Sequence, residues 1–192
     1  MVFNETLKKI ANYVEKPKLL LHSCCAPCSS YVISVLTEIC DVCVFYFNPN
    51  ISPVLEYEKR YSEQIRLLNI LNIKHIETRY EPREFHNAVC GLESEPEGAR
   101  RCDVCFKLRL SETATVAKEN GFDFFGTTLT VSPHKNAEKI NAIMKQIGEH
   151  KKINPLSADF KKKDGYKKSI ELSKKHALYR QNYCGCRMAV DS

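Results

Sequence analysis

The chain has 192 residues and the composition of one soluble globular domain, with 43% hydrophobic and 27% charged residues and a net charge of +6. No apolar run approaches the roughly 20 residues of a membrane-spanning helix, and residues 1–18 lack the apolar core of a signal peptide. We therefore expect a cytoplasmic protein without a membrane partner. In that compartment, ten cysteines favour metal or catalytic thiols over structural disulfides.

The apolar pattern predicts strands that alternate with helices. Strands are predicted over 18–22, 42–47, 73–80, 122–130 and 153–156. Helices are predicted over 4–15, from 27 to about 38, 53–71, 102–120, around 137–147 and 164–178. This alternation predicts an α/β domain with a parallel sheet and helices on both faces. We expect a single domain over 1–192, with a sheet core at about 18–160 and a basic helix and C-x-C tail at about 161–192.

Residues 19–30 place three cysteines where the first predicted strand ends. In α/β sheets, ligands usually lie at the carboxyl ends of the strands. Cys24 and Cys25 are adjacent, so their side chains point in different directions and do not both serve one core. The turn also lacks the glycines with which a phosphate-binding loop brings its amides to a phosphate, which argues against ATP binding. We therefore expect metal or redox chemistry at this turn.

Seven of the ten cysteines fall into three short motifs: Cys24-Cys25-x-x-Cys28, Cys102-x-x-Cys105 and Cys184-x-Cys186. Cysteines three apart at the start of a helix direct both sulfurs to one side of it, and the helix amino end favours thiolates. Two such pairs together form a four-sulfur site, and all-thiolate sites select zinc or an iron–sulfur cluster. Spacing alone does not choose between these metals. Cys40 and Cys43 are expected in the core, and Cys90 has no assigned role.

The third motif indicates electron transfer. In Cys184-Gly185-Cys186 the two α-carbons are close enough for a disulfide, and Gly185 permits the backbone that so small a ring needs. A dithiol of this kind gives up two electrons when it becomes a disulfide. A dithiol and a four-sulfur site in one chain therefore indicate reductive chemistry rather than a structural staple.

Positive charge is concentrated towards the carboxyl end of the chain. Residues 151–180 contain ten Lys or Arg and three Asp or Glu, whereas residues 1–150 contain 18 and 19. A basic block is typical of a protein that binds a polyanion such as RNA, although a solvated helix face has the same pattern. The expected RNA-binding residues are Lys161, Lys162, Lys163, Lys167 and Lys168.

Four segments together resemble the cobalamin-independent epoxyqueuosine reductases: Leu-Leu-His-Ser-Cys-Cys-Ala-Pro-Cys at 20–28, Phe-Tyr-Phe-Asn-Pro-Asn-Ile at 45–51, Arg-Cys-Asp-Val-Cys-Phe at 101–106 and Tyr-Cys-Gly-Cys at 183–186. The likeness spans residues 18 to about 188. It implies a sheet related to the adenine-nucleotide α-hydrolase (HUP-like) fold, with thiols in place of the phosphate loop. It also implies reduction of epoxyqueuosine to queuosine at the wobble position of tRNA, an external electron donor and a [4Fe-4S] cluster.

The resemblance also assigns roles to the cysteines. By motif match, the cluster ligands are Cys24, Cys25, Cys102 and Cys105, and the catalytic redox-active pair is Cys184 and Cys186. Cys28 is an alternative to Cys24 among the ligands. The family suggests an additional mononuclear iron, for which Cys28 and Asp103 are the candidate ligands, because a thiolate with a carboxylate suits iron. The alternative function is a zinc-stabilised RNA-binding module without catalysis.

Removal of an epoxide oxygen as water requires two electrons and two protons. The candidate proton donors are His22, His134, Tyr183 or a thiol, and the sequence does not rank them. The modified base must leave the anticodon stack to reach the site, and Tyr166 or Tyr179 is the candidate to stack on it.

Overall fold

A computed structural model describes residues 5–186, and its centre is a five-stranded parallel sheet in the order β3-β2-β1-β4-β5. The strands are β1 (Lys18–His22), β2 (Asp41–Phe45), β3 (Lys74–Ile76), β4 (Phe124–Thr127) and β5 (Asn154–Pro155). The α/β class and the parallel sheet predicted from the sequence are confirmed. The predicted domain limits at residues 1 and 192, and the predicted start of the first helix at residue 4, lie outside the described residues.

Seven α-helices lie in the described part of the chain, together with a 3-10 turn at Leu129–Val131. They are α1 (Glu5–Ala11), α2 (Ala26–Leu36), α3 (Val54–Leu71), α4 (Pro82–Ala88), α5 (Arg100–Glu119), α6 (Ala137–Lys151) and α7 (Gly165–Lys175). Within residues 5–186, no helix is both long enough and apolar enough to cross a membrane.

The central strand β1 determines how the helices are distributed. Its side chains alternate between the two faces of the sheet, and all three of its leucines are fully buried because both faces are covered. Leu19 and Leu21 pack in a cluster that includes residues of α1, α2 and α3, whereas Leu20 packs with residues of α5 and α6. The predicted helices on both faces of the sheet are therefore confirmed.

The strand order reverses beside β1, because β2 and β3 extend the sheet on one side of it and β4 and β5 on the other. A reversal of this kind leaves a crevice at the carboxyl ends of the two adjacent strands, where α/β proteins bind ligands. The Cys24-Cys25-x-x-Cys28 turn directly follows β1 and therefore lies at this crevice.

Several predicted elements are longer than those observed. The first helix ends at Ala11 rather than at residue 15, and Val14 lies beyond it, fully exposed. The third strand ends at Ile76, and residues 129–131 form a 3-10 turn rather than the end of β4. The basic helix ends at Lys175, three residues earlier than predicted.

Two polar side chains near the sheet, those of Arg60 and Ser23, are buried. Arg60 forms an ion pair with Glu56, four residues earlier on α3, at 2.6 Å and is only 2% exposed. Ser23 does not cap α2, because its hydroxyl is hydrogen-bonded to Ser29 Oγ at 2.5 Å and to Gln64 Oε1 at 2.7 Å.

Candidate metal and redox site

A cavity of about 450 Å³ lies at the carboxyl edge of the sheet. This volume is typical of a small-molecule site. Its walls come from the segments that follow β1, β2 and β4, and from residues 180–184 of the C-terminal segment. Cys24, Cys25, Cys28 and Cys184 all line it, so the first and third cysteine motifs face one space.

The three thiols of the first motif lie together. The sulfurs of Cys24, Cys25 and Cys28 are all within 4.8 Å of one another, and those of Cys24 and Cys25 are 3.8 Å apart. The backbone explains this arrangement, since Cys25 is the extended residue before α2 and Cys28 lies in its first turn. Thr128 Oγ1 accepts a hydrogen bond from the Cys24 amide at 3.1 Å and lies 3.4 Å from its sulfur. The turn thus offers three soft donors to one point, as a thiophilic metal site requires.

Ionisation within this triad is unequal. Hydrogen bonds shared with Cys25 and Cys28 hold the pKa of Cys24 well below its usual range. The same sharing raises the pKa of Cys25 to about 12 and raises that of Cys28 above its usual range. The hydrogen bonds within the triad therefore favour the thiolate at Cys24 and the thiol at Cys25 and Cys28.

The second motif lies at the start of α5, and both of its sulfurs are buried. Cys102 Sγ accepts a hydrogen bond from the Gly98 amide at 3.1 Å, and Cys102 belongs to the apolar cluster against which Cys24 packs. Cys105 packs with Phe85 in a separate cluster beside α4. Within residues 5–186, the group of sulfurs within 4.8 Å of one another contains the first motif and neither cysteine of the second.

The two cysteines of the third motif have different surroundings. Cys184 lines the cavity, whereas Cys186 packs beside Cys105 in the cluster next to α4. A hydrogen bond from the Cys186 thiol, together with the nearby cations Lys135 and Arg109, lowers the pKa of Cys184 to about 5. The same hydrogen bond raises the pKa of Cys186 above its usual range. The pair therefore presents one thiolate to the cavity and keeps one protonated thiol behind it.

Arg109 connects the cysteine motifs, and the sequence analysis missed it. It is 2% exposed, and its Nη2 donates to Asn48 Oδ1 at 2.5 Å while its Nη1 lies 3.7 Å from Cys105 Sγ. Burial alone would lower the pKa of Arg109, but the charges of Cys105, Cys24 and Cys184 raise it. Its position four residues after Cys105, on the same side of α5, is a signal that could have identified it.

Lys135 is a half-buried cation beside the third motif, and it was also missed. Its Nζ donates to Cys184 Sγ at 3.6 Å and to Glu97 Oε1 at 3.1 Å, and only 11% of its side chain is exposed. Because burial of an ammonium is costly unless an anion is near, this lysine depends on its two partners. The 49-residue separation between Lys135 and Cys184 hides this contact from local sequence patterns.

Of the candidate proton donors, His22 is not suited to the role. It is completely buried, with Nδ1 3.0 Å from Thr127 Oγ1 and Nε2 3.2 Å from the Phe47 carbonyl oxygen. Burial lowers the pKa of His22 to about 3, so the ring is neutral near pH 7. His134 and Tyr183, in contrast, both line the cavity.

The two tyrosines considered for base stacking also differ. Tyr166 lines the cavity, and the Arg180 guanidinium lies 5.2 Å from the centre of its ring. Tyr179 donates its hydroxyl proton to Glu56 and has the Lys59 ammonium 3.7 Å above its ring. Tyr166 is therefore the better placed of the two to contact a molecule in the cavity.

Asp103 has one satisfied and one unsatisfied oxygen. Its Oδ2 forms an ion pair with Lys139 Nζ at 2.8 Å. Its Oδ1 is buried and has no hydrogen-bond partner among the described residues. A buried carboxylate oxygen without a hydrogen-bond partner costs free energy, so this oxygen is available to bind a ligand.

The five lysines expected to bind RNA lie near the start of α7 and in the turn that precedes it. Lys162, Lys163, Lys167 and Lys168 are exposed. Lys161 is half-buried, since its Nζ donates to the Lys135 carbonyl oxygen at 2.9 Å. These lysines flank Tyr166 in sequence, so the basic surface adjoins the cavity wall.

Comparison with known proteins identifies the family. The family model described as "Epoxyqueuosine reductase QueH" matches residues 19–192. The chain belongs to the epoxyqueuosine reductase QueH family. Relatives named Epoxyqueuosine reductase QueH include that of Staphylococcus epidermidis, 41% identical over 98% of this chain and 84% of that protein. Those of Streptococcus pyogenes (40%, over 98% and 78%) and Thermotoga maritima (37%, over 88% and 88%) carry the same name.

Replacing Lys135 by methionine should change the titration of Cys184. A neighbouring cation stabilises the thiolate, so its loss should raise the pKa of Cys184 by about one unit or more. Iodoacetamide alkylation at pH 6 should slow, while the rate at pH 9 should not change. Mass spectrometry of the tryptic peptide 181–187, which contains Cys184 and Cys186 as its only cysteines, reports this rate.

Lys145→Met is the matched control, because this lysine is exposed on α6 and outside the cavity lining. It should keep the wild-type pH profile. An unchanged profile in Lys135→Met would show that Lys135 does not stabilise the Cys184 thiolate.

Proposed function

We propose that this protein reduces epoxyqueuosine in tRNA to queuosine, with loss of the epoxide oxygen as water. Membership of the QueH family supports the substrate and the reaction. The observation that carries the proposal is the cavity at the carboxyl edge of the sheet. It is lined both by a triad of thiols suited to a metal and by Cys184 of the C-x-C pair.

The proposal includes a [4Fe-4S] cluster. Its proposed ligands are Cys24, Cys25, Cys102 and Cys105, with Cys28 as the alternative to Cys24. The donor set fits such a group, because these are soft sulfur ligands at two buried helix starts. The cationic side chain of Arg109 beside Cys105 would offset the negative charge of thiolate ligands. When bound, iron at this site would supply one-electron transfer and a Lewis acid for the epoxide oxygen.

An additional mononuclear iron is also proposed, with Cys28 and Asp103 as ligands. Two separate observations support this choice of residues. Cys28 belongs to the thiol triad, and Asp103 Oδ1 is buried without a hydrogen-bond partner among the described residues. A thiolate with a carboxylate is a donor combination that suits iron.

The Cys184–Cys186 pair is the proposed source of the electrons for the reaction. Opening the epoxide to an alkene consumes two electrons and two protons and releases water. Oxidation of the Cys184 thiolate and the Cys186 thiol to a disulfide supplies both electrons and one proton. The second proton would come from another donor, for which His134 and Tyr183 both line the cavity. Lys135 Nζ, at 3.6 Å, holds Cys184 Sγ as a thiolate, and the thiol of Cys186 carries a proton. An external electron donor then restores the dithiol.

The cavity also contains two amide oxygens that could bind the modified base. Asn50 Oδ1 and Gln181 Oε1 are buried, line the cavity and have no hydrogen-bond partner within residues 5–186. Two such amide groups can bind the ring donors of a deazaguanine. We propose that the base leaves the anticodon stack, contacts these amides and stacks on Tyr166. The adjoining lysines, at 161–163, 167 and 168, would bind the flanking phosphates.

A zinc-stabilised RNA-binding module is the second candidate, because the same thiol triad is a good zinc site. It uses the basic surface and the first two cysteine motifs. It gives no role to the asymmetric Cys184–Cys186 pair, whereas a reductase needs a source of two electrons.

The Cys184→Ala variant tests the reductase proposal directly. It should lose turnover of epoxyqueuosine-containing tRNA by about a hundredfold or more, the scale of losing one chemically participating side chain. Conversion is measured by nucleoside mass spectrometry after anaerobic incubation with a chemical reductant. The iron content of the variant should stay at the wild-type level, since Cys184 is not a proposed ligand.

Cys40→Ala serves as the control, because Cys40 is a buried core thiol that does not line the cavity. It should retain wild-type turnover. Full turnover by Cys184→Ala would remove the dithiol from the mechanism, and no turnover by the wild-type protein would contradict the reductase function itself.

Charge reversal tests the RNA surface. The triple variant Lys162→Glu, Lys167→Glu, Lys168→Glu should bind tRNA more weakly. It should release about three fewer counterions on binding, which reduces the slope of log affinity against log salt concentration. The control reverses Lys8, Lys118 and Lys145, which are exposed outside the basic segment. If both triple variants bind tRNA with the same affinity and salt slope, the basic surface is not the phosphate-binding surface.

A further inference from the structure

Helix α3 presents charged side chains to the C-terminal segment, defined here as residues 176–186. The charges alternate in sign at spacings of three or four residues, so they lie on one side of the helix. They are Glu56, Arg60, Glu63 and Arg66. Within residues 5–186, the C-terminal segment forms no helix or strand of its own, so its path depends on such contacts.

The upstream part of the C-terminal segment is held by the second half of this side of α3. Arg66 Nη2 donates to the carbonyl oxygens of His176 and Ala177, at 3.0 Å each. Glu63 accepts a hydrogen bond from the Tyr179 amide. These contacts lie before residues 180–184, which form the cavity wall.

The downstream part is held by Arg60. This buried arginine donates from Nε to Glu56 at 2.6 Å and from Nη1 to the Cys184 carbonyl oxygen at 3.0 Å. Its guanidinium also lies 4.9 Å from the centre of the Tyr183 ring. Tyr179 donates its hydroxyl proton to the same Glu56 carboxylate. One guanidinium therefore fixes the backbone on which Cys184 is carried.

Gly185 fits against the same guanidinium. A Cβ at this position would lie 2.9 Å from Arg60 Nη1, and the backbone has φ of +99°, which side chains disfavour. The Gly185 carbonyl oxygen accepts a hydrogen bond from the Ser52 amide at 2.9 Å. The turn between the two cysteines is thus held by Arg60 on one side and by the loop before α3 on the other.

We infer that Arg60 is a positioning residue for the redox pair: it holds the turn at Gly185 so that Cys184 faces the cavity and Cys186 faces the interior. The two thiols then differ in surroundings although one residue separates them. The inference rests on the proposed function of the pair as the electron source. The orientation of the two sulfurs can be measured without a reductase assay.

The test compares the reactivity of the two thiols in wild-type protein and Arg60→Gln, each as purified with any bound metal. A limiting amount of iodoacetamide is added, and fragmentation of the tryptic peptide 181–187 assigns the label to Cys184 or Cys186. Cys184 should dominate in the wild type. In Arg60→Gln this preference should fall about tenfold, the scale of one lost charged hydrogen bond.

Catalysis provides a second readout. Arg60→Gln should lower kcat for epoxyqueuosine-containing tRNA and leave KM within about twofold, because Arg60 orients the thiols and does not bind the tRNA phosphates. Arg83→Gln is the matched control. It removes an exposed arginine of α4 that does not line the cavity, and it should keep both the wild-type labelling preference and the wild-type kcat.

Each outcome is decisive for the positioning role. A wild-type labelling preference in folded Arg60→Gln would overturn it. If Arg60→Gln does not fold, Gly185→Ala disturbs the same contact from the opposite side. The inference stands if Gly185→Ala loses the preference and fails if it keeps it. A changed preference in a protein with no reductase activity would support the positioning role and contradict the proposed function.

Discussion

Thiolates buried at the carboxyl edge of the sheet require compensating positive charge, and much of the site follows from this constraint. Removing a thiolate from water is costly unless a cation or several hydrogen bonds accompany it. Arg109 supplies a cation beside Cys105, and Lys135 supplies one beside Cys184. The first motif uses hydrogen bonds instead, since two thiols share one charge with Cys24.

The parallel sheet makes these contacts possible because it brings distant segments to one edge. Arg109 extends from α5 to Asn48, which follows β2, and Asn48 Nδ2 donates to the carbonyl oxygen of Ser23 at 2.9 Å. The thiol turn, the loop after β2 and the middle of α5 are therefore tied by one hydrogen-bonded chain. In a related nucleotide-binding sheet this edge would hold phosphate on backbone amides. Here side-chain sulfurs occupy that place.

Local patterns predicted much of this fold and little of the charge network. The run Lys18–His22 is apolar and short, so its strand was predicted with the observed limits. The cysteine spacings predicted thiols at helix starts. The contacts of Lys135 and Arg60 with residue 184 join residues 49 and 124 positions apart in the sequence. Local periodicity contains no information about contacts between residues so far apart.

The metal and sulfide content of the purified protein is the most direct test of the central claim that these sulfurs hold a redox metal. Protein purified anaerobically is analysed for iron, acid-labile sulfide and zinc, with Cys25→Ser and Cys40→Ala in parallel. We predict a brown protein with about four iron and four sulfide per chain for the cluster, an extra iron if the second site is filled, and absorbance near about 400 nm. Cys25→Ser should lose the cluster, and Cys40→Ala should keep it. A colourless protein that contains zinc and no sulfide would contradict the account.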